Sequence, residues 1–250
     1  MPISDSMELR IGVLIIGSLY WDDLQSRRAW RESRLIPSKP AVVQAPLRYG
    51  RKSHNRGNTY TMVFSRGCGE GSALVLRCKN PVSSAEGLIQ EAEHLWTAER
   101  KAAASDGCIS ADWGCVGLLI RPGLELPRQF REKWEDRVVR EDGYTKTPPR
   151  DDLGVLVDER GVLQIGWPEP VDSSQPLVEA DVLLAAATHA TFHGNPPRYA
   201  SPGMIAEAWG RDTNDRICYF RKNRENSIST FQDPEILACL RRMGKADGCA

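Results

Sequence analysis

The amino-acid sequence predicts an α+β protein, and the order of its strand-like and helical segments carries that prediction. Segments rich in β-branched and aromatic residues, separated by turn residues, dominate the first half of the chain. Helical patterns lie mostly later or as insertions between strands, and no internal repeat is present. This order favours a largely antiparallel or mixed sheet with helices packed around it.

Each predicted element follows from a local pattern. Apolar runs bounded by turn residues predict strands at Gly12–Gly17, Ala41–Lys52, Thr59–Ser65, Ser72–Cys78, Gly114–Ile120, Gly154–Asp158 and Val162–Ile165. Apolar residues at steps of three and four predict helices around Trp30 and at Ser83–Ala103, Pro127–Glu141, Val178–Ala187, Pro202–Trp209 and Pro234–Met243. We expect a single domain over residues 1–250, with a charged insertion around 121–175 and a helical C-terminal extension.

Composition limits the classes of partner. Lys plus Arg and Asp plus Glu number 33 each, so no global field attracts nucleic acid or an anionic membrane. The longest apolar run is too short to cross a bilayer, and the start MPISDSMELR lacks the pattern of a signal peptide. Seven cysteines without a C-x-x-C pair predict reduced thiols. We expect a cytoplasmic protein without nucleic-acid or membrane partners, whose oligomeric state the sequence leaves open.

The stretch VLIIGSLYW, which begins at Val13, is the most informative in the chain. Its apolar residues predict a buried strand, and Gly17 then lets the backbone turn sharply and present N–H groups to a small anion such as a carboxylate. A plain turn out of a core strand is the alternative. The predicted binding residues of this loop are Gly17, Ser18, Leu19, Tyr20 and Trp21.

A chemical candidate, Glu99, lies near the end of the helix predicted after Cys78. The apolar positions of this helix form one line, namely Leu88, Ala92, Leu95 and Ala102. Glu99 falls on that line, so its carboxyl should face partly apolar surroundings that raise its pKa and suit proton transfer. Alternatively, Glu99 pairs with Arg100 or Arg121. The off-line carboxylates of this helix are predicted to be solvated, namely Glu86, Glu91 and Glu93.

Four short motifs follow one another along the chain. They are GSLYW from Gly17, SHNRGNTYTMVFS from Ser53, GSALVL with a helix ending in Ala98-Glu99-Arg100, and SPGMIAEAWGRDTNDRICYF from Ser201. In this order they resemble the γ-glutamylcyclotransferase superfamily, particularly its glutathione-degrading ChaC-like branch, over Val13–Phe220. Two positions depart from the family pattern, since Ile16 replaces a usual Tyr and Ala98 replaces the Arg or Gln before the catalytic glutamate.

The resemblance implies a small mixed β-barrel over Gly12–Ile120 with peripheral helices. It also implies cyclisation of a γ-glutamyl amine or peptide to 5-oxoproline with release of an amine. The substrate's own α-amine is the nucleophile, so one proton-transferring group suffices and no metal or other cofactor is required. By the same resemblance Glu99 is the general acid/base, and Arg56 reaches the anionic substrate.

Two other functions stay open at the level of sequence. The altered residues around Glu99 fit a non-catalytic small-molecule-binding module on the same fold. His189 and His193 have a spacing that would suit a metal-dependent hydrolase, but Pro196-Pro197 and the lack of an acidic residue between the histidines favour a loop. The basic segment Arg48–Arg56 could contact phosphates, although a solvated hairpin is the simpler interpretation.

Overall fold

A computed structural model describes residues 8–38, 40–53, 59–174, 179–210 and 215–245. Its strands are β1 (Ile11–Ile15), β2 (Ala41–Ser53), β3 (Thr59–Phe64), β4 (Glu70–Arg77), β5 (Ser110–Ala111), β6 (Gly114–Ile120), β7 (Arg150–Asp151), β8 (Gly154–Val155) and β9 (Val182–Thr188). Seven of them form one mixed sheet in the order β3-β2-β4-β1-β9-β6-β5, and β7 pairs with β8 separately. The α+β class predicted from the sequence is therefore confirmed.

The centre of the sheet is formed by β1 and β9, which pair in parallel, while β4 joins the other edge of β1 in antiparallel direction. Every residue of β1 and of β9 is buried. A strand covered on both faces shows a continuous apolar run instead of alternation, as both of these sequences do. The loop after β1 therefore starts from the buried centre of the sheet.

Seven helices surround the sheet in the described part of the chain. They are α1 (Gln25–Arg34), α2 (Ala85–Arg100), α3 (Arg128–Val139), α4 (Asp142–Thr145), α5 (Pro202–Gly210), α6 (Asp215–Glu225) and α7 (Asp233–Arg242). The α2 helix begins with Ser84, whose side chain accepts a hydrogen bond from the Gly87 N–H at 3.2 Å. None of the described helices is long and apolar enough to cross a membrane.

The sheet curls but does not close into the predicted barrel within the described residues, because its order ends at β3 and β5. The chain after β9 turns back toward β2, where the Thr191 N–H donates to the Gly50 carbonyl at 2.7 Å. A register shift between Tyr49 and Arg51 accompanies this curl. At β3, the Met62 N–H donates to the Tyr219 hydroxyl of α6 at 3.3 Å, so a helix side chain meets this strand.

The helix predicted over Val178–Ala187 is wrong. Its first residue lies outside the described residues, and most of the remainder is the strand β9. Ala and Leu favour helices intrinsically, but seven buried residues between β1 and β6 gain more from pairing on both edges. The strands predicted at Gly154–Asp158 and Val162–Ile165 shrink to β8 and isolated bridges, and α6 was not predicted.

The charged insertion contributes to the core through α3. Phe130, Trp134 and Val138 are buried at steps of four along this helix, which packs on α2. The charged insertion expected around residues 121–175 therefore also supplies buried apolar residues to the core.

Among the described cysteines, the expectation of reduced thiols fails at one position. Cys68, Cys78, Cys108, Cys115 and Cys239 are free thiols, as predicted. Cys218 is disulfide-bonded, so the expectation of reduced thiols is wrong there.

Candidate active site

The loop after β1 forms a tight turn at the end of the sheet's central strand. The Tyr20 N–H donates to the Gly17 carbonyl at 3.1 Å, and the Asp22 N–H donates to the Ser18 carbonyl at 2.9 Å. Gly17 has a φ of +146°, a conformation that other residues rarely adopt. A Cβ at this position would lie 2.7 Å from the Tyr219 hydroxyl, so only glycine fits between β1 and α6.

Arg27 connects this loop to the end of α2. Its side chain is 2% exposed, and its Nη1 donates to Ser18 Oγ at 2.7 Å and to Asp22 Oδ2 at 3.0 Å. Its Nε donates to the Ala98 carbonyl at 3.1 Å, and its Nη2 donates to the Glu99 carbonyl at 3.3 Å. One buried guanidinium therefore satisfies carbonyls at the C-terminal end of α2 and holds the loop beside them.

Glu99 lies in the last turn of α2, with its side chain 19% exposed. Its Oε2 is 3.4 Å from Arg27 Nη2, so it does form an ion pair. The partners considered from the sequence are wrong, since Arg100 pairs with Asp106 and Arg121 with Asp181. The hydrogen bond that Arg100 donates to the Asp106 carboxylate raises the pKa of Arg100 above its usual value.

Glu99 and the loop open into one cavity of about 530 Å³. Its wall includes Gly17, Ser18 and Leu19 of the loop, the ends of β2 and β9, part of β3, and Trp113 and Tyr219. The volume lies within the range that holds small organic ligands. The structure therefore brings together the two candidates that the sequence singled out, although Gly17 and Glu99 lie far apart in the chain.

Cationic side chains outnumber carboxylates among the described residues of the cavity wall, although Arg27 and Arg100 are paired with carboxylates. Five cationic side chains belong to the described lining residues, namely Arg27, Arg51, Lys52, Arg100 and Lys101. Glu99 is the only carboxylate among the same described residues. Lys101 follows α2 as its cap, in the left-handed conformation with a φ of 59°. Such a wall attracts an anionic ligand, although the protein as a whole has zero net charge.

The remaining predicted binding residues are placed differently. Tyr20 and Trp21 are not among the described residues that line the cavity. Trp21 packs behind the loop, where its Nε1 donates to Asn223 Oδ1 at 2.7 Å and its ring meets Tyr219 edge to face. Arg56 lies outside the described residues. Binding roles for the loop and for Arg56 stay predictions.

The two histidines serve different contacts. His189 lines the cavity and its Nε2 is 2.8 Å from the Thr147 carbonyl, whereas His193 Nε2 is 3.0 Å from the Tyr60 hydroxyl. The segment between them is a loop, as predicted. Within the described residues, no group of three or more His, Cys, Asp and Glu side chains is arranged to hold a metal ion.

Sequence reasoning missed Arg27, Trp113 and Tyr219 as parts of this site, whereas Arg51 belongs to the basic segment Arg48–Arg56 that was considered as a phosphate contact. No local pattern marks Arg27, because its five polar contacts join the nearby loop at Ser18 and Asp22 to the end of α2, which lies 71 and 72 residues away in sequence. Tyr219 belongs to the fourth motif, SPGMIAEAWGRDTNDRICYF, so that motif did contain a usable signal.

Neither a family model, nor a curated protein, nor a solved structure matches this chain. The assignment of a function therefore rests on the cavity and on the order of the four motifs.

Proposed function

We propose that this protein is a γ-glutamylcyclotransferase-like enzyme that converts a γ-glutamyl amine or peptide to 5-oxoproline and a free amine. The observation that carries the proposal is that Glu99 and the Gly17–Leu19 turn open into the same cavity. The proposal includes the barrel-like fold of that superfamily, a single domain, a cytoplasmic location and a role in glutathione metabolism.

The reaction makes few demands on the protein. The substrate's α-nitrogen attacks its own γ-carbonyl carbon, a five-membered lactam forms, and the bond from that carbon to the leaving nitrogen breaks. One proton leaves the attacking nitrogen and one proton reaches the leaving nitrogen, so a single carboxylate can accept and return it. Glu99 is assigned this transfer, and neither metal nor redox chemistry is needed for the balance.

The turn and Arg27 are assigned the positioning roles. A substrate α-carboxylate bound at Gly17 to Leu19 would place the γ-glutamyl group within reach of the Glu99 carboxyl, since both belong to one wall. Arg27 holds the two parts in register because it contacts Ser18 and Glu99 at once. A preorganised geometry of this kind contributes much of the rate enhancement in an intramolecular cyclisation.

A non-catalytic binding module is the second candidate, and the Arg27–Glu99 contact favours it. The Glu99 carboxylate already contacts the buried guanidinium of Arg27, so this contact gives Glu99 a structural role that does not require turnover. The cationic wall would bind an anionic ligand equally well in a protein that no longer turns it over.

The decisive experiment is incubation of the purified protein with glutathione and with a panel of γ-glutamyl amines and dipeptides. We expect 5-oxoproline from at least one compound, and we expect Glu99→Gln to lower its rate by about a hundredfold or more. Glutamine keeps the shape of the side chain but cannot exchange a proton near neutral pH.

Glu86→Gln is the matched control, because Glu86 lies in the first turn of the same helix and is exposed. This control should retain the wild-type rate. Saturable binding of a panel compound without any 5-oxoproline would favour the binding module. A Glu99→Gln rate equal to that of Glu86→Gln would remove Glu99 from the reaction.

A further inference from the structure

His189 is a second residue of the cavity wall, besides Glu99, whose side chain can exchange a proton near neutral pH. It follows β9, and its backbone N–H donates to the Trp113 carbonyl at 3.0 Å. The Trp113 ring stacks on Trp96 of α2, with ring centres 4.7 Å apart, and Trp96 precedes Glu99 by about one helical turn. Two contacts therefore link His189 to the turn of α2 that carries Glu99.

The imidazole of His189 is oriented by a main-chain carbonyl. Its Nε2 lies 2.8 Å from the carbonyl oxygen of Thr147, close to the end of α4. A carbonyl oxygen can only accept a hydrogen bond, so Nε2 carries the hydrogen and, in the neutral ring, Nδ1 carries the lone pair. No hydrogen bond between described residues uses Nδ1. A ring held through one nitrogen, with the other left as an acceptor, has the arrangement of a positioned general base.

The proposed reaction moves two protons, and the assignment of Glu99 covers one of them. The nucleophile is the free α-amine, but an α-amino group has a pKa of about 7.7 to 8.0 and is largely protonated at neutral pH. This ammonium loses one proton before its nitrogen can attack, and the same nitrogen loses a second proton as the lactam forms. The leaving nitrogen receives both, because the released amine becomes an ammonium ion in water.

We infer that His189 is a second proton-transfer residue, whose Nδ1 takes the proton from the substrate's α-ammonium before the ring closes. This inference rests on the proposed function and deepens it by dividing the two protons between two side chains. In this step an N–H bond of the ammonium breaks, an N–H bond forms at Nδ1, and the electron pair stays on the substrate nitrogen. After the lactam has formed, the imidazolium returns its proton to the leaving nitrogen.

The charged and titratable groups around the imidazole belong to several elements. Those of the described cavity wall are Glu99 and Arg100 of α2, its cap Lys101, Arg51 and Lys52 of β2, Arg27 of α1 and Tyr219 of α6. Beside the two carbonyls that contact His189, the sequence places Asp112 and Lys146, and Lys146 is paired with Asp142 at 2.9 Å. Glu99 is the only carboxylate of that described wall, so it is the one carboxylate there that competes with Nδ1 for a proton of the ammonium.

The test is the pH dependence of kcat/KM for His189→Gln, measured with the γ-glutamyl compound that gives the most 5-oxoproline. The side-chain amide of glutamine can still donate to the Thr147 carbonyl, but it cannot accept a proton. At about pH 7 we expect the variant to be slower than the wild-type protein by about tenfold to a hundredfold. At about pH 9 most of the substrate is already the free amine, so the two values should agree within about threefold.

His193→Gln is the matched control, because His193 lies outside the described lining of the cavity and its Nε2 is 3.0 Å from the Tyr60 hydroxyl. It should keep the wild-type kcat/KM at both pH values, and thermal melting should show that both variants are folded. A His189→Gln value equal to wild type near neutral pH would overturn the inference. A deficit of the same size at both pH values would also overturn it, since lost positioning does not depend on the protonation of the substrate.

Nitrogen NMR of the two imidazole rings gives a second measurement that does not alter His189. In Glu99→Gln protein saturated with the same compound, the Nδ1 resonance of His189 should shift while that of His193 stays unchanged. An unchanged His189 resonance would refute the inference. Absence of 5-oxoproline from every compound with the wild-type protein would overturn the proposed function and this inference together. Turnover that does not respond to His189→Gln would overturn the inference alone.

Discussion

Helices α1 and α2 are joined by two arginine–glutamate pairs that are built in opposite ways. In the first pair the arginine is the buried member, since Arg27 is 2% exposed and Glu99 is 19% exposed. In the second pair, Arg34 with Glu91, the carboxylate is buried at 6% and the arginine is 33% exposed. The same two helices thus carry two pairs of the same residue types. The pair Arg27–Glu99 faces the cavity, and the pair Arg34–Glu91 lies away from it.

The opposite burial of arginine and glutamate in the two ion pairs indicates a different structural role for each pair. Glu91 lies beside Cys78, and burial, followed by the nearby Glu91 charge, raises the pKa of that thiol well above its usual value. Arg34 is the more exposed partner, so it shields the buried Glu91 carboxylate from solvent. Arg27 supports Glu99 from inside, so the carboxylate remains turned toward the cavity. Burial of the positive partner leaves the negative partner accessible to a ligand.

The largest expected effect comes from removing the buried arginine. Arg27→Met should lower the free energy of unfolding by about 3 to 5 kcal/mol, because Asp22, Glu99 and the Ala98 carbonyl lose their common donor. The measurement is urea unfolding, with Arg28→Met as control, since Arg28 is an exposed neighbour on the same helix. The control should change stability by less than about 0.5 kcal/mol. A loss below about 1 kcal/mol for Arg27→Met would contradict its role as the connector.

The two glutamates should separate turnover from stability. Glu91→Gln should lower the free energy of unfolding by about 1 to 3 kcal/mol, because a buried charged hydrogen bond is weakened, while the rate per folded molecule stays close to wild type. Glu99→Gln should do the reverse, with a stability change below about 1 kcal/mol, because Arg27 keeps its bonds to Ser18 and Asp22. Unfolding curves and 5-oxoproline rates measured on the same preparations check this. Equal profiles for the two variants would remove the distinction between the pairs.

The sequence predicts the parts of the site that depend on local pattern. A glycine after an apolar strand predicts the turn at Gly17, and helical phase predicts that Glu99 faces inward, because both follow from backbone geometry over a few residues. The same phase wrongly assigns Glu91 to solvent. The spacing of apolar residues identifies only one buried face of α2, whereas α1 covers a second face, where Arg34 pairs with Glu91.

The parts that depend on tertiary pairing could not be read from the sequence. Arg27 becomes central only when α1 packs against the end of α2, and Arg51 only when β2 approaches Trp113. The helix predicted in place of β9 is wrong for the same reason. A short apolar run of Val, Leu and Ala fits either a helix or a buried strand until its neighbours are known.

The smallest expected effect concerns Trp21, which supports the turn without lining the cavity. Its Nε1 hydrogen bond to the buried Asn223 is lost in Trp21→Phe, so the free energy of unfolding should fall by about 1 to 2 kcal/mol. The KM for a γ-glutamyl substrate should change by less than about threefold, because the ring lies behind the loop and not in the wall.

Trp113→Leu gives the contrasting variant for this measurement. Trp113 lines the cavity and stacks against Arg51, so its loss removes apolar surface from the wall and should raise the KM by about tenfold, or about 1.4 kcal/mol. Steady-state kinetics of both variants under identical conditions compare a supporting aromatic residue with a lining one. A KM that rises as much in Trp21→Phe as in Trp113→Leu would place Trp21 in contact with the substrate, as the sequence alone predicts.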